Sequence, residues 1–352
     1  MRKRTGLIAA CIFMAAGTAG AQSYAADDIP GNLKEHANAV VRTHDRHLVI
    51  YEDGSGSMEA EMAITVLNEQ GEHYAHFIRY YDRFITFRKI RGALYDASGK
   101  EQRKFRRGDI MDVSAISGVS LFEDSRVKAM KVGYHSYPYT VAFTYEVEYD
   151  GLMDYPDFRV LSDYNVATQH VAFTIDVPAG RTVRWHVQGM DRLEPTVEEG
   201  EEVMRYHWEE ENIPAIRKES YSRGFSEVAP CVHIAPGSFV YGGIPGDMST
   251  WKKYGEWISE LNAGKDELPE AVVAEAQSMV EGVSAPREKV EILYRYMQER
   301  VRYVLLALGI GGYEPIPAAR VHEVGYGDCK ALSNYMKALL KAVGIPSVYT
   351  LF

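Results

Sequence analysis

The sequence predicts a multidomain α+β protein in which an antiparallel β-sandwich precedes a second, α+β domain that opens with helices. Two observations carry this expectation. From about residue 38 to 233, apolar side chains recur at every second position, the spacing that sends alternate residues to one face of a sheet; turn clusters, not helical crossovers, separate the runs. After about residue 245 the apolar period becomes that of a helix.

The chain opens with Arg2, Lys3 and Arg4, an apolar run from Leu7 to Ala16, and the small-residue pattern Ala19-Gly20-Ala21. That order predicts a signal peptide over residues 1–21, cleaved before Gln22. The run is shorter than the ~20 residues that cross a bilayer, and no later segment is more apolar, so no transmembrane segment is expected. The stretch from Ile8 to Cys11 also resembles a lipoprotein processing site; with few residues ahead of Cys11 and an apolar run continuing past it, lipidation ranks second.

The sandwich is expected over residues 30–235. "SMEAEMAITV" places Met58, Met62, Ile64 and Val66 on one face, and "TVAFTYEVEY" does the same with Val141, Phe143, Tyr145, Val147 and Tyr149. "HVAFTIDV" follows with Val171, Phe173, Ile175 and Val177, and "TVRWHV" with Val183, Trp185 and Val187. "EDGSGS", "YDASGK" and "VPAGR" supply the turns. A boundary is expected between residues 235 and 249, and the second domain over residues 245–352.

In that second domain "STWKKYGEWISEL" aligns Trp251, Tyr254, Ile258 and Leu261. "LPEAVVAEAQSMVEG" has Pro269 just inside its start and Gly282 just past its end. Ser284 is positioned to cap a third helix whose stripe is Val290, Leu293, Tyr294, Met297 and Val301. Residues 307–327 read as a loop. A fourth helix follows with Leu332, Tyr335, Met336, Leu339, Leu340 and Val343 on one face until Gly344 and Pro346 end it, and "SVYTLF" reads as the opening of a buried strand.

The formal charge is −10 with no basic run, which gives no footing for nucleic acid or anionic lipid. Three cysteines are too few for a disulfide-built scaffold, so burial of apolar area must hold the fold. Cys231 and His233 share a strand face, but two ligands without a third make no metal site. "GIGGYEP" lacks the preceding strand and the following Lys-Ser/Thr of a phosphate loop, and reads as a cleft wall shaped by Tyr313 and Pro315. Tyr294, Tyr296 and Tyr303 read as packing residues.

The chemistry concentrates at Cys329. Asp328 stands where a helix N-cap belongs and Cys329 at the first helical position. The helix start and Lys330 favour a thiolate there, while the Asp328 carboxylate opposes it. Unpaired backbone N–H groups of the first turn can receive the oxyanion of an acyl intermediate. A working thiol also needs a base within hydrogen-bond reach and a group to orient that base.

The order of helix "EKVEILYRYMQERVRYV", loop "GIGGYEPIPAARVHEVGYGDCK", helix "ALSNYMKALLKAVGIPS" and a following strand resembles the first half of the transglutaminase-like core, the fold shared with papain-type thiol enzymes. The resemblance is strongest over residues 288–349. The β-rich half is similar to a bacterial domain of unknown function found ahead of this core in exported proteins. The resemblance implies that Cys329 is the nucleophile and that the base His and its Asp partner lie on strands after the cysteine helix. All eleven histidines precede Cys329, the last being His322, so those partners are expected to be absent from these 352 residues and the domain to be truncated after the cysteine helix.

The resemblance therefore implies an exported transglutaminase-like protein, periplasmic or in the cell envelope. Its full-length form would transfer an acyl group or hydrolyse an amide of a protein or peptide, as an acyltransferase or a cysteine peptidase, and the chain as given is expected to be inactive. No metal or organic cofactor is implied. The alternative is a non-catalytic binding or scaffold module of the envelope.

Overall fold

The computed structural model describes residues 23–115 and 122–351; the expected signal peptide and Cys11 lie outside the described residues. The β-rich half is built on one eight-stranded sheet. Its strands are β1 (Ala39–Ile50), β2 (Gly56–Val66), β3 (Ile85–Tyr95), β4 (Glu101–Phe105), β5 (Tyr139–Tyr149), β6 (Val166–Pro178), β7 (Thr196–Glu199) and β8 (Val203–Ile213). The spatial order is β7-β8-β6-β1-β2-β5-β3-β4. Neighbours run antiparallel, as Met62 opposite Phe143 and Phe173 opposite Trp208 illustrate, except at β1/β6, where Leu48 and Ile175 pair in parallel. The wholly antiparallel expectation is corrected at that one seam. A parallel pair needs a long return, and here the entire β2 to β5 segment provides it.

Two three-stranded sheets cover the large one. One contains Phe77–Tyr81, Arg126–Met130 and Met111–Ser114; the other contains Phe158–Arg159, Cys231–Pro236 and Val183–Gln188. Leu48, Phe143, Phe173 and Trp208 of the large sheet meet Phe77, Met130, Phe158, Val232 and Ile234 of the small ones in a single apolar core. The alternation read from the sequence holds along β5, where Val141, Phe143, Tyr145 and Val147 are buried while Thr144 is exposed. It also holds for Val171, Phe173, Ile175 and Val177. Trp185 departs from it. Its ring lies at the surface and its Nε1–H donates to Glu194 Oε2 at 2.6 Å.

The second half packs five helices, α1 (Trp251–Asn262), α2 (Glu270–Met279), α3 (Pro286–Arg300), α4 (Ala318–Val324) and α5 (Cys329–Ala342). Thr250 caps α1 by accepting the Lys253 N–H. Its buried stripe is Trp257, Ile258 and Leu261, and Trp251 is almost fully exposed, which corrects its place in the expected stripe. Helix α3 begins with Pro286 at its first position behind Ala285, so Ser284 is not its cap. Helix α4 falls in the stretch whose pattern predicts a loop, which the structure corrects. It is seven residues long, Pro317 precedes it and Gly325 ends it at φ +70°, leaving too short a run for periodicity to declare itself. Leu293, Met297, Ala318, Val321, Tyr335 and Leu339 form the common core of α3, α4 and α5.

Residues 347–351 form no strand; Val348 and Leu351 are exposed, and no described segment offers them a ladder, which corrects the expectation of a buried strand. The segment expected as the boundary is itself structured. Ser238–Tyr241 and Ile244–Asp247 form a hairpin, and Phe239 sets its ring 5.1 Å from that of Trp257 beside Met153, Ile258 and Leu261. A second tie pairs the backbone of Leu306–Ala307 with that of Phe122–Glu123 in parallel, and Asp124 Oδ2 accepts from Gly309 N–H at 3.1 Å and Arg83 Nε at 2.7 Å. Gly309 lies at φ +54°, and a Cβ there would stand 2.5 Å from the Arg83 side chain.

Candidate active site

Helix α5 starts where it does because Asp328 supplies its cap. The nearly fully buried carboxylate accepts the Ala331 N–H at 3.0 Å through Oδ1, and its Oδ2 pairs with the Lys330 ammonium. Lys330 is thus folded back onto the cap and does not reach out beside the thiol; the two opposing charges read from the sequence neutralise each other. Cys329 itself is exposed at the mouth of the helix. The chain is led there by the two-residue strand Tyr326–Gly327, which pairs in parallel with Arg302–Tyr303 directly after α3. Gly327 fits this turn because a Cβ would stand 2.8 Å from that of Ala331.

The same pairing delivers Tyr303 to the thiol. Tyr303 stands beside Cys329, and its pKa is raised, by burial first and then by the neighbouring Cys329. Tyr349 of the C-terminal segment packs with the Trp257 cluster, and its pKa is raised, by burial first. The site therefore holds an exposed sulfur, first-turn backbone N–H groups and the Tyr303 phenol. Such a set can attack a carbonyl carbon and hold the resulting oxyanion.

His322 is committed elsewhere. Arg300 donates to its Nε2 at 2.9 Å, its Nδ1 is 2.9 Å from the Tyr335 hydroxyl, and its pKa is lowered by burial and then by the Arg300 charge. With Nε2 accepting, the ring is neutral and engaged on both nitrogens. Tyr313 and Pro315 do not wall the thiol cleft: Pro315 is buried, and Tyr313 packs against Trp257 and Tyr241 at the seam between the two halves. The reading of Tyr303 as a packing residue is corrected too, since it is largely exposed. A signal was present in the sequence: the α3 stripe closes at Val301, and the residues after it leave the helical period.

Cys231 is the second described thiol, free and buried, and burial with help from Asp157 pushes its pKa up to about 11. The third group missing beside Cys231 and His233 is supplied across the strands: Asp157 Oδ2 stands 3.4 Å from His233 Nδ1. Elsewhere, no described helix is long and apolar enough to cross a membrane.

Residues 274–351 match the model of the transglutaminase-like superfamily, and residues 52–217 that of the domain of unknown function DUF3857. The chain carries a transglutaminase-like core behind a DUF3857 domain. A crystal structure from Parabacteroides distasonis, described as that of a "putative protease", superposes with a TM-score of 0.63 at 17% identity over 88% of this chain. At that identity the likeness concerns the fold, and the chain spans 59% of the length of that structure. An M1 zinc metallopeptidase of Deinococcus radiodurans (TM-score 0.26, 9% identity, 56% of this chain and 42% of that one) and yeast LTA4 hydrolase (0.27, 10%, 69% and 35%) resemble it too weakly to bear on fold or function. No curated protein matches the chain in sequence. With Cys329 inside the matched span, the transglutaminase-like core holds its thiol, cap and Tyr303 within one continuous segment.

Proposed function

We propose that Cys329 is the nucleophile of an exported thiol enzyme of the transglutaminase-like class acting on a protein or peptide amide. The observation that carries this reading is the exposed Cys329 at a helix start capped by Asp328, with Tyr303 beside it. In the reaction the thiolate adds to the amide carbonyl, the C–N bond breaks as the leaving amine takes a proton, and a thioester remains. Water or a second amine then takes the acyl group and returns the thiolate. Residues 1–21 would direct export, with residues 30–235 as the sandwich domain and residues 245–352 within the thiol domain.

Amide cleavage also requires a base that becomes the acid for the leaving nitrogen. His322 is held by Arg300 and Tyr335, and no described histidine hydrogen-bonds Cys329. Residues 22–352 should therefore form an acyl-enzyme from an activated ester, whose leaving group needs no protonation, yet fail to turn over amides. Incubation with a nitrophenyl ester and intact-mass measurement tests this. An adduct on Cys329 that vanishes in Cys329→Ser is the expected result. Absence of any adduct on Cys329 would favour the binding or scaffold role, and amide turnover lost in Cys329→Ala would mean that a base is present within these residues.

A further inference from the structure

The three strands 158–159, 231–236 and 183–188 bring a second set of reactive side chains together, far in sequence from Cys329. Phe158 pairs with Val232 and Arg159 with Cys231, so one step further Asp157 stands opposite His233. On the other side His186 pairs with His233, their rings 6.4 Å apart and 12° from parallel. Val232 and Phe158 point into the core, and Asp157, Cys231 and His233 share the opposite face. One ligand atom from each of these three lies within 4.8 Å of those of the other two.

We propose that Asp157, Cys231 and His233 bind a divalent transition metal of the Zn2+ type, with the fourth position left to solvent. The dimensions suit it. Tetrahedral Zn2+ with bonds of about 2.0–2.2 Å to nitrogen and oxygen separates such ligands by roughly 3.4 Å, and the observed Nδ1 to Oδ2 distance is 3.4 Å. The donors suit it as well: a thiolate, an imidazole and a carboxylate form a borderline-soft set whose two negative charges balance a dication. Binding exchanges the thiol proton for the metal, Cys–SH plus M2+ giving Cys–S–M+ plus H+. Arg159, which donates to Asp157 Oδ2 at 2.7 Å, is half exposed and can swing away to yield that oxygen to a metal, while Arg46 holds the Asp157 carbonyl at 2.7 Å and fixes the turn. A metal here would clamp the last strand of the sandwich immediately before the hairpin that leads to the thiol domain.

The test uses the full purified chain, stripped with a chelator and titrated with Zn2+ and Co2+. One equivalent is expected to bind, with release of one proton, and Co2+ is expected to show a thiolate charge-transfer band that Cys231→Ser abolishes and Cys329→Ser leaves intact. Loss of groups that merely orient metal ligands costs about 10–100-fold in affinity, so His233→Ala and Asp157→Asn should each weaken binding by at least ~10-fold. Circular dichroism checks that each variant folds. Should Cys231→Ser misfold, the unmodified chain still answers, because bound metal must shield Cys231 from alkylation under partly denaturing conditions. A band that survives Cys231→Ser, binding indifferent to all three substitutions, unchanged alkylation of Cys231, or no retained metal would each overturn the proposal.

Discussion

The β-rich half and the helical half hold together in different ways, and that difference governs where chemistry can sit. In the sandwich one apolar core joins three sheets, and long strands such as Tyr139–Tyr149 spend alternate residues on it. In the helical half a smaller core lies among α3, α4 and α5, and the most consequential contacts occur at helix ends: Asp328 on Ala331, Lys330 on Asp328, Tyr303 on Cys329. A reactive thiol needs unpaired N–H groups at its back and solvent at its front. A helix start offers both and an interior strand neither. The molecule shows this with its own two thiols, Cys231 buried beside a sheet and Cys329 exposed on a helix start.

The largest expected effect breaks the sandwich alone. Phe143→Ala removes a ring that is 1% exposed and packed on Phe77 and Phe105, and should cost about 3–5 kcal/mol. Denaturant unfolding followed by far-UV circular dichroism measures this loss. If the sandwich is an independent unit, the transition reported by the helices stays in place. Trp257→Ala comes next, at about 3 kcal/mol. It removes the ring on which Phe239 and Tyr313 rest, and should uncouple the halves into two separate unfolding steps. A single cooperative step in that variant would show that the ties at Asp124 and Gly309 suffice to couple them.

Much of the sandwich was legible because period two is repeated over long strands: Val141, Phe143, Tyr145 and Val147 could be assigned a face from the sequence alone. What escaped was long-range. No local pattern announces that β1 lies parallel to β6, or that Asp157 faces His233 across two strands more than seventy residues apart in sequence. At the thiol site the cap and the nucleophile position were readable from "GDCK", since an N-cap is a local device. Tyr303 was not, because it reaches Cys329 through a two-residue strand too short to carry a pattern, and helix α4 was missed for a similar reason.

Smaller effects sharpen the comparison within each half. Asp328→Ala removes the α5 cap and leaves the largely buried Lys330 ammonium without its partner, a loss of about 1–3 kcal/mol visible as faster hydrogen exchange over the first turn of α5. The smallest is a pH effect on the sheet. His170 sits between the Asp45 and Glu209 carboxylates, each at 2.9 Å, and Asp45 contributes most to raising its pKa to about 9. Its folded-state pKa exceeds the unfolded value of about 6.5, so its contribution is complete below that pH and is lost as pH rises through about 9. The stability gap between the parent chain and His170→Gln should accordingly shrink between pH 6 and 10 in urea unfolding.

The central claim is that the helix start makes Cys329 the reactive thiol of this chain. Residues 22–352 treated with iodoacetamide at neutral pH, under native conditions and without added metal, give the rates of both cysteines from one digest by mass spectrometry. Cys329 is exposed while Cys231 is buried with a pKa pushed up to about 11, so Cys329 should be modified at least ~100-fold faster, and the two rates should converge once the chain is unfolded in urea. Equal rates in the native protein, or faster labelling of Cys231, would contradict the account.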